Sequence, residues 1–311
     1  MPSFSEDRSL TFISWFAAHP AWYLSYALVI GLAVGSFLNV VAYRLPRMME
    51  IDWRKQSLEF LGLPESGETP GFNGLISRSR CPRCGHAIRP WENVPVLSYL
   101  FLRGRCSSCS DRISLRYPVV EALTGLLSLA VALRFGPTPE TLAALLFAWT
   151  LIALTLIDLD EQILPDSLAL PLLWGGLALS LLNAAAPSYW FFGTGFHDSL
   201  QGLLRGPATA LTGAIVGYLA LWLPSRVLSL LLRKETMGDG DLKLLAAIGA
   251  WVGWQGVFQV VMIATFTSLL AFALAYALPG GDHRARLPFG PFLALGGIAA
   301  LFIGARFELA I

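Results

Sequence analysis

The chain has 311 residues, of which 55% are hydrophobic and only 14% charged, with a mean hydropathy of +0.60. A soluble domain carries about 25% charged residues, so an ordinary soluble globular protein is excluded. The net charge of +1 excludes a partner held by bulk charge, nucleic acid included.

Taken in chain order, the apolar runs predict an all-α polytopic membrane protein. About eight spans are expected, at roughly 22–42, 119–135, 140–157, 167–183, 207–223, 241–254, 257–278 and 289–307. The first run is long enough to span and lacks a small-residue cleavage pattern, so it reads as a retained helix rather than a signal peptide. The run at 241–254 falls short of the ~20 residues a crossing needs. The run from 207 has two readings, continuation to about Leu232 past Pro224 or a helix that Pro224 ends or kinks.

Between the first two spans lies a polar insertion, 44–117, holding twelve of the 22 Lys and Arg residues. Basic loops stay on the cytoplasmic side, which places this insertion inside and both termini outside. The loops at 158–166, 224–240 and 279–288 then fall inside, and Arg226, Arg233, Lys234, Arg284 and Arg286 agree with that placement. The aromatic loop 184–206, with Tyr189-Trp-Phe-Phe192, reads as an outer interfacial anchor. The expected organisation is an N-terminal segment and first helix (1–43), a cytoplasmic polar module (44–117) and a seven-helix membrane domain (118–311). Residues 62–74 read as a linker, and no internal repeat is evident.

The polar insertion holds all four cysteines, in two pairs: Cys81-Pro-Arg-Cys84 and Cys106-Ser-Ser-Cys109. Two Cys-x-x-Cys turns have the spacing of a four-thiolate zinc site, closed to substrate and therefore structural. In a reducing compartment a disulfide is disfavoured. Redox exchange and inert thiols are the competing readings.

Acids cluster in two places. Asp158-Leu-Asp160 ends the third span, with Leu164-Pro-Asp166 opening the fourth; Gly238-Asp-Gly-Asp241 opens the sixth. The expected topology puts all five aspartates at the cytoplasmic face. Two carboxyls brought together do not both ionise easily, so one holds a proton while the other acts as base. Such a pair can activate water and protonate a leaving amide nitrogen. Against this stands helix capping, which would account for Asp166 and Asp241. Lys243 is either their counter-charge or a snorkelling side chain. Two further function classes fit these features: a transporter with aspartates as ion ligands, and a non-enzymatic assembly factor docking partners through its metal module. His19, His86, His197 and His283 show no ligand spacing.

Several segments together resemble one bacterial family, the type IV prepilin peptidases (prepilin leader peptidase/N-methyltransferase). They are Gly35-Ser-Phe-Leu-Asn-Val-Val-Ala-Tyr-Arg-Leu-Pro46; the cysteine pairs with Asn93-Val-Pro-Val-Leu-Ser-Tyr99 and Arg116-Tyr-Pro-Val-Val-Glu121; Ile157-Asp-Leu-Asp160 with Leu164-Pro-Asp166; Gly238-Asp-Gly-Asp-Leu-Lys243; and Pro288-Phe-Gly-Pro-Phe292. The resemblance implies an inner-membrane enzyme that cuts the basic leader from type IV prepilins and pseudopilins after a glycine, on the cytoplasmic side. It further implies N-methylation of the new N-terminus with S-adenosylmethionine. It assigns catalysis to Asp158 and Asp241, with Asp160, Asp166, Gly238, Gly240 and Lys243 in support. It makes Cys81, Cys84, Cys106 and Cys109 the zinc ligands, and links Gly104 to methyl transfer, although a turn glycine is the alternative. Two departures stand out: the stretch 184–206 is long, and Arg233-Lys-Glu-Thr-Met precedes Gly238. No glycine-rich S-adenosylmethionine fingerprint is present.

Overall fold

The computed structural model describes residues 14–63, 74, 78–185, 206–234, 237–277 and 287–303. The aromatic stretch 184–206 lies almost wholly outside the described residues. The chain divides into two compact units, His19–Leu133 and the part from Arg134 onward.

In the first unit, α1 (Pro20–Phe60) and α3 (Arg116–Phe135) pack closely because their contact is lined by small residues. A Cβ on Gly35 would lie 2.8 Å from the Glu121 backbone, and one on Gly125 would lie 2.8 Å from Leu32. Small residues spaced this way let helix backbones approach where lipid supplies no hydrophobic drive. Asn39, buried in α1, donates to the Gly35 carbonyl at 3.2 Å and to the Tyr117 carbonyl at 3.3 Å. The helix α1 passes through Pro46 and continues to Phe60. At 1.5 Å per residue its 41 residues are about twice as long as the ~30 Å hydrocarbon core, so its polar second half projects beyond the apolar run. The short helix α2 (Leu97–Phe101) and a 3₁₀ turn at Pro90–Asn93 belong to the cysteine module.

The second unit is built around α7 (Asp239–Ala277), against which α6 (Pro207–Leu232), α8 (Gly290–Ile303) and α5 (Asp166–Ala185) pack. The helix α4 (Pro139–Glu161) packs against α8 and α5. Gly253, at φ 74°, breaks α7 into two segments, which is why the sequence shows two apolar runs there. The helix α6 continues past Pro224 to Leu232. Gly217 of α6 faces the backbone at Leu245, and Gly296 of α8 faces Val260. Trp251 ties three helices together: its indole N–H donates to the Leu172 carbonyl of α5 at 2.8 Å, and its ring lies 5.0 Å from that of Phe147 in α4. In the same unit Leu151, Leu154, Ile157, Leu244, Ile248 and Leu293 are fully buried.

Five helices, α1, α3, α4, α6 and α7, are long and apolar enough to cross a membrane; Asp166–Leu182 and α8 are apolar but shorter. Each of the eight apolar runs read from the sequence falls largely on a helix.

Candidate active site and metal centre

Four helix ends meet where the acids lie: the C-terminal end of α4 and the N-terminal ends of α5, α7 and α8. The chain leaves α4 through Gln162, in the left-handed region at φ 55°, whose N–H donates to the Asp158 carbonyl at 3.0 Å. The three residues Ile163–Pro165 then carry the chain into α5. Three helix N-termini directed at one place favour negative charge there.

Asp158 is buried, and the first residue of α8, Gly290, lies directly against its carboxylate. Its Oδ2 has no hydrogen-bond partner among the described residues. An unpartnered oxygen on a buried acid is costly unless water or substrate occupies the remaining position. Asp241 is half-buried in the first turn of α7 and lies within electrostatic reach of Asp158.

Two glycines make room for this arrangement. A Cβ on Gly290 would sit 2.5 Å from Asp158 Oδ2, and one on Gly240 would sit 2.9 Å from the Cβ of Leu164. Leu164 also approaches Gly290, its Cδ1 3.4 Å from that ideal Cβ, so this one side chain packs between the first turns of α7 and α8. A Cβ on Gly238 would meet nothing within 4 Å.

Lys243 pairs with Asp166, its Nζ 2.8 Å from both carboxylate oxygens. The lysine is therefore engaged by the acid that opens α5. The pair is part-exposed and worth about 0–1 kcal/mol, so its contribution is to join the first turns of α5 and α7. Asp160 and Asp239 are exposed. Gly290 and Leu164 were not singled out from the sequence. Their signal was present in Pro288–Phe292 and Leu164-Pro-Asp166, but only the fold shows what the glycine accommodates.

Glu140 is a contrasting buried acid, 1% exposed, also with one unpartnered oxygen. It lies in the first turn of α4, eighteen residues from Asp158, or about 27 Å along the helix, and takes no part in the cluster.

The cysteine module is a pair of matching turns. In the first, Arg80 bridges Ala87, the Cys81 N–H donates to the His86 carbonyl at 2.9 Å, and the Gly85 N–H returns to the Cys81 carbonyl at 2.9 Å. In the second, Arg105 bridges Arg112, the Cys106 N–H donates to the Asp111 carbonyl at 2.8 Å, and the Ser110 N–H returns to the Cys106 carbonyl at 3.0 Å. Gly85 and Ser110 both take positive φ, 70° and 57°. This is a structural repeat that the sequence barely records beyond Arg-Cys-x-x-Cys. Arg83 reaches Asp111 at 3.3 Å across the two turns. His86 contacts both Glu92, at 3.1 Å, and Ser107, at 3.4 Å.

The four Sγ atoms all lie within 4.8 Å of one another, with Cys81 and Cys109 at 3.8 Å. A tetrahedron with Zn–S bonds of about 2.3 Å has edges of about 3.8 Å, so the donor set fits zinc. Backbone N–H groups of Cys84 and Arg83 draw the Cys81 thiol down to about 7. Cys106 is likewise lowered, chiefly by the backbone of Cys109. The Asp111 backbone N–H acts downward on Cys109 too, but burial and the neighbouring thiols outweigh it and push that thiol up to about 12.

Gly104 takes a φ of 67°, and its missing side chain is where Tyr99 packs: a Cβ would lie 2.6 Å from the Tyr99 hydroxyl oxygen. Buried under that ring, Gly104 helps shape the fold of the module.

The chain matches two family descriptions, Bacterial Peptidase A24 N-terminal domain over residues 29–135 and Type IV leader peptidase family over residues 145–276. It is 43% identical over 295 residues to a prepilin leader peptidase/N-methyltransferase of Stutzerimonas stutzeri, covering 95% of this chain and 96% of that one. A Pseudomonas aeruginosa protein of the same name is 42% identical over 292 residues, 94% of each chain. One from Burkholderia pseudomallei strain K96243 is 45% identical over 297 residues, covering 94% of this chain and 90% of its own. No solved structure matches the chain.

Proposed function

This chain belongs to the type IV leader peptidase family, and from that premise we propose how its residues divide the work of prepilin processing and N-methylation. The observation that carries the peptidase reading is the meeting of Asp158 and Asp241 at four helix ends, with a buried carboxylate oxygen left free beside Gly290.

Asp158 and Asp241 act as a coupled acid–base pair on a water molecule. One carboxylate takes a proton from the water as its oxygen attacks the scissile carbonyl. The other carboxyl donates its proton to the departing amide nitrogen as the C–N bond breaks. No covalent intermediate with the chain is needed, and the pair titrates as a unit. The bare backbone of Gly290 leaves room for the Asp158 carboxylate, while Lys243 and Asp166 fix the first turn of α7 against α5. The helix N-termini stabilise the negative charge the pair must carry.

The substrates are prepilins and pseudopilins with basic leaders, cut at the cytoplasmic face of the inner membrane. The positive-inside distribution supports that face for the polar insertion and the acids, with eight spans and both termini outside. The division into 1–43, 44–117 and 118–311 is part of the same reading. Cys81, Cys84, Cys106 and Cys109 hold one zinc ion, which supplies a structural clip and leaves no open position for substrate. The methylating activity transfers a methyl group from S-adenosylmethionine to the new N-terminal amine. Gly104 serves it through the shape of the module rather than by contact with the donor.

Incubating purified chain with a prepilin peptide, with and without S-adenosylmethionine, tests the pair of activities by mass. A leader-sized loss in both samples and a methyl gain only with the donor are expected. An intact peptide in both would overturn the reading.

A further inference from the structure

The cysteine module carries an apolar face that its own fold leaves uncovered. Leu97, Leu100 and Phe101 occupy one side of α2 at helical spacing and are 53%, 65% and 84% exposed. Leu115, just before α3, is 67% exposed and Trp91 is 65% exposed. A water-facing module does not need this many exposed large apolar side chains together.

The position of the face names its occupant. The Val96 N–H, at the start of α2, donates to Glu121 Oε2 at 2.7 Å. Glu121 is a buried residue in the second turn of α3, about 7 Å inside a helix long and apolar enough to cross a membrane. The hydrogen bond thus pins α2 at the depth of the first turns of a spanning helix. At the start of that helix Leu115, Tyr117 and Val119 are exposed as well. Its rim is cationic: Arg103 and Arg105 are exposed directly after α2. The guanidinium of Arg89 stands 5.5 Å from the Trp91 ring, the pairing of amphipathic aromatic and basic groups that headgroup layers favour.

We propose that α2 is an interfacial element, with its Leu97–Phe101 face in the headgroup layer of the bilayer that α3 crosses and Arg103 and Arg105 on anionic phospholipid headgroups. The cysteine module is then tethered to the membrane surface at three places, α1, α3 and α2. The occupant is lipid rather than protein because α2 is bonded to the second turn of a helix long and apolar enough to cross a membrane, and its rim is cationic.

The test uses the full chain in nanodiscs of mixed phosphatidylcholine and phosphatidylglycerol. The photoreactive residue p-benzoylphenylalanine is placed at Phe101, at Leu100 in a second variant, and at exposed Ser108 as control. Zinc content confirms that each variant folds. After irradiation, phospholipid adducts are expected at positions 101 and 100 and not at 108. Phosphatidylglycerol should be enriched among the adducts over its bulk share. Arg103→Gln should reduce that enrichment by up to about fivefold, since a basic side chain near the surface contributes about 1 kcal/mol. Adducts to this chain's own residues, adducts to an added prepilin peptide, equal lipid labelling at 108, or no adduct at all would each overturn the proposal.

Discussion

At the scale of single residues, the site is shaped as much by missing side chains as by present ones. Gly290 is where the Asp158 carboxylate rests, and Gly240 is where Leu164 packs. Gly290→Ala should therefore displace the carboxylate and lower kcat on a prepilin peptide by about 10²-fold, the cost of roughly 1 Å of misplacement, with little change in KM. Gly238→Ala, which meets open space, should leave the rate unchanged. Steady-state kinetics on the two variants separates these outcomes. In the cysteine module Glu92 is held down to about 2, chiefly by the Arg89 N–H, then by Ser107 and His86. A depressed carboxyl stabilises the fold above its ordinary 4.5 and loses that contribution as pH falls toward about 2. Glu92→Gln should lower the thermal midpoint at neutral pH, and the gap from wild type should close on acidification.

At the scale of elements, the legible features were those carried by composition and period. The eight apolar runs fall on helices, and the short run at 241–254 proved to be the first segment of α7, ended by Gly253. The continuation of α1 to Phe60 was not legible, because its second half is polar and no apolar run marks it. Pro224 is no terminator here: the helix passes it. The cysteine spacing announced a metal site, whereas the duplicate turns at Cys81–Ala87 and Cys106–Arg112 were hidden because backbone hydrogen bonds, not side chains, define them. The partner of Lys243 was equally hidden, since Asp166 lies far away in sequence and only the meeting of α5 with α7 brings it within 2.8 Å. These matching turns make a sharp prediction about metal. Metal analysis should give one zinc per chain. Cys81→Ser with Cys106→Ser should abolish it and unfold the module, since binding energy at such a site is folding energy.

At the scale of the whole molecule, two units carry two kinds of chemistry. The unit from Arg134 onward holds both catalytic candidates, and the unit His19–Leu133 holds the four thiols and Gly104. Burial alone does not set Asp158 apart from Glu140; the convergence of helix ends around Asp158 does. The decisive measurement supplies a prepilin peptide and, separately, the same peptide already cut, to wild type, Asp158→Asn and Asp241→Asn with S-adenosylmethionine present. Each Asn variant should lose cleavage by about 10²–10⁴-fold, the range for a positioned acid or base, while methylating the cut peptide at the wild-type rate. Cleavage at the wild-type rate by either variant would contradict the assignment of Asp158 and Asp241 as the acid–base pair.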